Sequence, residues 1–516
     1  MKLIQPPTPV PDSKIWNLSD EFYAGKGAES WSRSLVPQRV TSNCYIADVY
    51  ASITAAFFRD LARQGCLEPP LIIEVGGGSG LFAWQFLHRL LNHHLPNETD
   101  VPNFNYLLTD GAASNIANWK TKQRFAPLRE SGLLDFGILW VKDILEIKTS
   151  NGRTLSVNDL GNRPVVLITN YLYCSIPCDL YRVRDHEVYR ELIALYERDQ
   201  DPVEGDAGAF QRIKATFSSE ARSAPFTGHA RIDRIIEGYR ALPGDACIPV
   251  PEIAIRFLEI FLRRNAPLLN LASDIGYTEP LAFPKTDPFI LGQYLGYYTN
   301  FHMMGEIFRE YGGAVQGPAF HDRTLPTVAL MLPGSLTGLP ETMRVARTSL
   351  ENFTPYDAYN VLKTVRKNIT KPNYLEIAAW LRLSKFDPLH ARKSIPLLLE
   401  VLGQDKKLNV DHVREMFLDS YRAYFPDGGA TDEFDIEIAH LFLRLDLHED
   451  ARELLERGAA EFGRTALRLY VLALALISLD RIPEGEAAAH ESVRADKEFE
   501  PAQKLVAAFR EGGAMP

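Results

Sequence analysis

LIIEVGGGSGLFAWQFLHRLL, residues 71–91, decides how this chain is read. It opens as an apolar run broken only by Glu74, passes through Gly76, Gly77, Gly78, Ser79 and Gly80, and resumes with apolar residues at helical spacing. That pattern is a strand, a tight loop and a helix. Glycine allows positive φ and close approach of a ligand. A helix N-terminus turns unpaired N–H groups and the positive end of its dipole towards whatever lies above the sheet edge. The stretch is therefore expected to present free backbone amides as a cradle for a polar or anionic cofactor.

Three further runs of strand length follow, FNYLLTD (104–110), FGILWVKD (136–143) and PVVLITN (164–170), spaced so that a helix fits between them. This is the βαβ rhythm of a parallel sheet covered on both faces. Ahead of it, IADVYASITAAFFRDLARQG (46–65) repeats apolar residues at helical spacing and ends on Gly65, a helix-stop residue. A polar stretch over about 184–250, which includes ERDQDPVEGDAGAF, is expected to be an insertion forming a lid or substrate wall. It gives way to the amphipathic PEIAIRFLEIFLRRN (251–265) and a fifth strand, APLLNLASDIGY (266–277).

The turn-rich MLPGSLTGLPETM (331–343) reads as a domain boundary, and the sequence beyond it is helical. TPYDAYNVLKTVRKN (354–368) starts with Thr354 as N-cap, Pro355 at the first helical position and Asp357 in the first turn. LDLHEDARELLERGAAEF (445–462) and LDRIPEGEAAAHESVRAD (479–496) align at an offset of 34 residues, with Ala451 on Gly485. That is the period of tetratricopeptide helix pairs, in which small residues let helices pack closely.

Bulk properties exclude several classes. The 516 residues imply more than one core, and 46% hydrophobic with 24% charged residues is a globular composition. LYVLALALISL (469–479) is too short to cross a bilayer, which takes about 20 residues. The N-terminus has neither a signal-peptide core nor transit-peptide character, so a cytoplasmic location is expected. Five scattered cysteines do not form a disulfide framework, and Cys174 with Cys178 lacks a second pair at zinc spacing, so no metal site is expected. A net charge of −10 disfavours a nucleic-acid binder.

A dinucleotide fingerprint can be forced onto Gly78, Gly80 and Ala83, which would make the chain an NAD(P)-dependent oxidoreductase. The acid inside the strand argues otherwise. E-x-G-x-G-x-G over Glu74, Gly76, Gly78 and Gly80 resembles the first motif of class I S-adenosylmethionine-dependent methyltransferases. The resemblance implies an α/β fold: a Rossmann-like core of seven strands over 46–335, carrying a helical insertion at 184–250. An N-terminal extension (1–45) would precede the core, and an all-α tetratricopeptide-like domain (345–516) would follow it. It further implies that Glu74 and the loop from Gly76 to Gly80 hold the methionine end of S-adenosylmethionine. Asp110 would hold the ribose hydroxyls, Asp143 would meet the adenine, and Asn170 would border the cleft.

A narrower resemblance, over about 35–335, is to the MidA-like methyltransferases, relatives of a mitochondrial complex I assembly factor that methylates a protein arginine. The segments TNYLYCSIPCDLYRV (169–183), NLASDIGYTEP (270–280) and YTNFHMMGEIFREYGG (298–313) carry it, in that order after the glycine motif. Those relatives have N-E-x-x-D-x-x-P after the fourth strand. Here Asn170 and Pro177 persist, while Tyr171 and Cys174 stand at the acidic positions. An acid pair would suit a guanidinium, so its loss argues against arginine as acceptor. Catalytic candidates are Tyr171, Tyr173, Asp274 and His302 as bases, the two tyrosines also as aromatic walls for an amine, and Asn170 because it ends a strand beside the cofactor cleft. The expected function is methyl transfer to a nitrogen or oxygen of a protein, peptide, carrier-bound or small-molecule acceptor, with the helical domain recruiting a protein partner and a homodimer left open. The competing reading is a methyltransferase-fold protein that binds and assembles without catalysis.

Overall fold

The computed structural model describes residues 2–18, 39–66, 68–98, 101–141, 144–197, 212–284, 289–291, 295–320, 325–426 and 432–511. The chain divides into two compact units, residues 1–359 and 360–516.

The first unit is built on a mixed α/β, mostly parallel sheet of nine strands. Seven of them are β1 (Leu71–Val75), β2 (Asn105–Asp110), β3 (Leu134–Ile138), β4 (Val165–Asn170), β5 (Leu268–Ser273), β6 (Ala314–Gln316) and β7 (Thr327–Leu332). Their spatial order is β6-β7-β5-β4-β1-β2-β3, and a hairpin of Glu146–Thr149 and Thr154–Ser156 continues the sheet beyond β3. β5, β4, β1, β2 and β3 are mutually parallel, and β7 runs antiparallel to both β5 and β6. β1 and β7 are buried along their whole length, which is why each reads as a nearly unbroken apolar run. The chain winds from β1 outward to β3 and then crosses to β4 on the other side of β1. The carboxyl ends of β1 and β4 therefore flank a topological switch point, the place where doubly wound sheets bind ligands.

Seven helices of this unit matter below: α1 (Cys44–Arg63), α2 (Leu81–Arg89), α3 (Ala113–Thr121), α4 (Ala230–Tyr239), α5 (Glu252–Leu262), α6 (Phe301–Glu310) and α7 (Pro340–Leu350). Asn43 caps α1, its side-chain oxygen accepting from the amides of Tyr45 and Ile46 at 3.0 and 3.1 Å. Gly65 follows α1 with φ +71°, the left-handed stop its sequence implied.

Three expectations need correction. The 184–250 stretch is not a helical insertion: with Asp179–Arg184 and Lys2–Pro9 it forms a second, antiparallel sheet through Glu187–Glu197, Ile213–Arg222 and Asp245–Val250, and contributes one helix, α4. ERDQDPVEGDAGAF falls largely outside the described residues. Within the 1–45 extension, Lys2–Pro9 is a strand of that same sheet and Gln5 donates from its side chain to the Ile193 carbonyl at 3.1 Å. The unit also ends later than the turn-rich segment suggested. Buried Asp60 of α1 accepts from the Thr342 amide and hydroxyl, both at 2.8 Å, and so fastens α7 to the first unit.

The second unit is all helical among its described residues. Phe434–Arg444, His448–Phe462, Ala466–Ser478 and Ile482–Ala495 form two consecutive helix pairs. Their turns repeat in detail at the 34-residue spacing. Leu447 N–H bonds the Phe442 carbonyl and Arg481 N–H the Leu476 carbonyl, each at 2.9 Å, around Asp446 at φ +60° and Asp480 at φ +55°. Ala451 is fully buried, and a Cβ on Gly485 would lie 2.9 Å from Ile477 Cγ1, so small side chains are a packing requirement at both places. Buried Asp435 forms a two-point ion pair with Arg468, at 2.6 and 3.0 Å, directly over Gly458.

Candidate functional site

The glycine loop lies at the switch point, and each glycine has its own reason. Gly76, Gly78 and Gly80 take φ of +76°, +54° and +83°, where other residues are strained. Gly77 is required by contact: a Cβ there would lie 2.3 Å from Leu108 Cδ1. Trp119 of α3 clamps the loop from below, its indole N–H donating to the Gly78 carbonyl at 2.9 Å.

The amides do not behave as expected. Gly76 and Gly77 donate to the Thr109 carbonyl at 3.0 and 2.8 Å, Gly78 to Asp110 Oδ2 at 3.0 Å, and Gly80 to the Gly77 carbonyl at 2.9 Å. These four N–H groups are satisfied within the protein, so the loop offers close backbone approach rather than a ring of free donors. Exposed Gly76 forms its accessible surface, with Leu172 across the crevice 3.7 Å from where a Cβ would stand.

Asp110 ends β2 beside this loop. One carboxylate oxygen takes the Gly78 amide and the other the Ala112 amide, at 2.9 Å. Burial raises its pKa, while those two amides pull it back. The Asn115 side chain and the Gly111 amide add to that pull. Glu74 is buried in the middle of the sheet, where it accepts a hydrogen bond from Tyr106. Burial pushes its pKa to about 8; the Tyr106 bond opposes this and the charge of Asp110 adds to it. Glu74 is therefore a largely protonated structural acid beneath the loop. Asp143 lies outside the described residues. Three residues earlier in the sequence, Trp140 is 48% exposed and laid flush on the residue after Asp110: a Cβ on Gly111 would meet the indole at 3.0 Å.

Across the crevice, Asn170 ends β4. Its carbonyl oxygen accepts from the Tyr50 hydroxyl of α1 at 2.8 Å and its amide donates to the Thr41 carbonyl at 3.3 Å. Next to it, fully buried Asp274 accepts from the amides of Cys174 and Ile275 at 3.0 and 2.8 Å. Burial raises its pKa to about 7, with the Cys174 thiol and these amides opposing, and its charge helps push the Tyr50 and Cys174 protons well above their usual range. Tyr173 is buried, its hydroxyl donating to Asn270 at 2.8 Å. Tyr171 sits at φ +50°, which turns the chain sharply out of β4. His302, on α6, stands apart from this group: its Nδ1 is 2.9 Å from the Tyr239 hydroxyl, and burial lowers its pKa.

The structure thus gathers Asp110 and the loop on one side of the crevice and Asn170, Tyr50 and Asp274 on the other. Sequence reasoning missed Tyr50 and Trp140. Tyr50 carried a faint signal, a hydroxyl on the apolar face of an otherwise greasy helix. Trp140 carried none, since it fell inside an apparent strand.

Neither a protein-family model nor a curated protein sequence matches the chain. Two solved structures from Burkholderia thailandensis are similar in part. One is an uncharacterized COG1565 superfamily protein, at 15% identity and a TM-score of 0.33 over 60% of this chain and 80% of its own. The other is a COG1565 superfamily member described as a "likely methyl transferase" and bound to S-adenosyl-homocysteine, at 16% identity and a TM-score of 0.31 over 60% and 81%. Likenesses this distant leave the functional reading to the chain's own geometry.

Proposed function

We propose that the chain is an S-adenosylmethionine-dependent methyltransferase. The observation that carries this reading is one juxtaposition: at the switch point of a doubly wound sheet, a close-approach glycine loop ends β1, a half-buried carboxylate ends β2, and an exposed indole follows β3. We read β1–β7 as the seven-stranded methyltransferase core and the 146–156 hairpin as an addition to it. Asp110 would accept the ribose hydroxyls, Trp140 would offer its face to the adenine, and Gly76 and Gly77 would let the amino-acid end lie against the backbone. The bound cofactor supplies an activated methyl group. The protein's part is to hold an acceptor in line with it, and positioning alone can supply several kcal/mol of the barrier. Asn170, held by Tyr50, shapes the acceptor side. Asp274 holds a proton exchangeable near neutral pH beside Cys174 and Tyr50. The acceptor is a nitrogen or oxygen nucleophile on a protein, peptide or small molecule, and the helical unit, read as tetratricopeptide-like, recruits it.

Calorimetric titration with S-adenosyl-homocysteine and with NAD+ tests the reading. Saturable binding of the first and none of the second is expected, with Asp110→Ala weakening binding at least tenfold while the protein stays folded. Binding of NAD+ instead would remove the proposal. The assembly-protein reading is favoured by one specific fact, the commitment of four loop amides to partners within the protein. Cofactor binding without methyl transfer to any lysate component would select it.

A further inference from the structure

We propose that a basin on the opposite, amino edge of the nine-stranded sheet binds the phosphate group of a small phosphate monoester. Leu332, at its rim, pairs with Leu268, and Leu268 with Val165, so the basin lies at the starting ends of β4 and β5. Six-residue strands separate it from the glycine loop by about 20 Å, and this inference is independent of the methyltransferase reading. The basin has a volume of about 720 Å³. Its charged side chains are Arg231 and Arg263; Tyr311 and Asn265 add a hydroxyl and an amide, and no carboxylate lines it among the described residues.

Two carboxylates outside that lining hold the arginines. Glu259, 1% exposed, takes Arg263 at 2.6 Å, Arg231 at 3.4 Å, the Tyr311 hydroxyl at 3.0 Å and His229 at 3.0 Å. Glu310 holds Arg231 from the other side at 3.1 Å, and Arg231 lies over the Tyr311 ring at 4.4 Å. These anchors use some of each guanidinium's five N–H donors and fix its plane, so the remaining donors meet a ligand with little entropy left to lose. Two fixed guanidinium groups fit the several oxygens of a phosphate. The basin is far larger than a phosphate ion, and Leu262, Leu332 and Pro333 give it an apolar floor. The favoured ligand is therefore a phosphate carrying an apolar body.

The test is calorimetric titration of the full chain with phenyl phosphate, inorganic phosphate and phenol. Phenyl phosphate should bind saturably and more tightly than inorganic phosphate, with affinity falling as sodium chloride rises, and phenol should not bind. Arg263 is 65% exposed, so Arg263→Gln should fold normally and weaken phenyl phosphate at least tenfold while leaving S-adenosyl-homocysteine titrations unchanged. Arg231→Gln should do the same. Absence of saturable binding, or equal binding by wild type and Arg263→Gln, would overturn the site. Equal affinity for phenyl phosphate and inorganic phosphate would overturn the monoester.

Discussion

Replacing Glu74 by glutamine should change how stability depends on pH more than how stable the protein is. Glu74 titrates at about 8 in the folded chain against 4.5 when free. Below about pH 4.5 both folded and unfolded chains hold its proton. Between 4.5 and 8 only the folded chain does, so folding takes up a proton and stability falls as pH rises, by about 1.4 kcal/mol per pH unit. Above 8 both forms are ionised and the loss levels off, at about 5 kcal/mol in all as an upper bound. The substituted glutamine cannot ionise, yet its oxygen can still accept from Tyr106. Its extra N–H finds no obvious acceptor and costs about 1–3 kcal/mol at every pH. The variant should therefore start level with or below wild type at pH 5 and overtake it by pH 8. Other titrating groups, Asp274 included, are common to both proteins and cancel in the difference. Urea unfolding followed by hydrogen exchange of the 71–75 and 105–110 amides reports this sheet separately from the helical unit. Wild-type and variant curves that stay parallel from pH 5 to 8 would refute a neutral buried Glu74.

Trp140→Ala should leave the melting temperature within about 2 °C, since the ring is half exposed, and weaken S-adenosyl-homocysteine several-fold; indole fluorescence of the wild type should change on titration and that of the variant much less. Gly77→Ala should cost about 1–3 kcal/mol through the 2.3 Å approach to Leu108, read by denaturant midpoint, whereas Gly132→Ala, at φ +75° with nothing near its Cβ, should cost only its backbone strain. Asp435→Ala should strand Arg468 as an uncompensated buried charge and lower helical-unit stability by about 3–5 kcal/mol, measured by exchange of the 466–478 amides.

Much of the nine-stranded sheet was legible because its central strands are covered on both faces: β1 was read at its observed ends, and β2, β4 and β5 within a few residues. The 187–197 strand was not. Val188, Leu192 and Leu195 fall four and three apart, a helical spacing, in a strand that is paired along both edges and meets its N-terminal partner through register slips. β3 shows how a small boundary error hides a candidate site residue. FGILWVKD reads as strand to 143, but the strand ends at Ile138, and those few residues turn Trp140 from an apparent core position into an exposed platform. The glycine loop was legible as a shape, from positive φ and close packing. Its hydrogen-bond partners were not, since Thr109 and Asp110 come from the next strand, and Tyr50 reaches Asn170 from 120 residues away.

The second sheet has a consequence for biogenesis. Gln5 and Ile193, which meet in it, are 188 residues apart. At a translation rate of about 5–20 residues per second the 2–9 segment emerges some 10–40 s before its mate exists. During that interval the segment carrying Leu3 and Ile4 is an unpaired, partly apolar strand, the kind of edge on which nascent chains associate with one another. Ribosome-bound intermediates that stop short of the 187–197 strand are where chaperone dependence of this protein should concentrate.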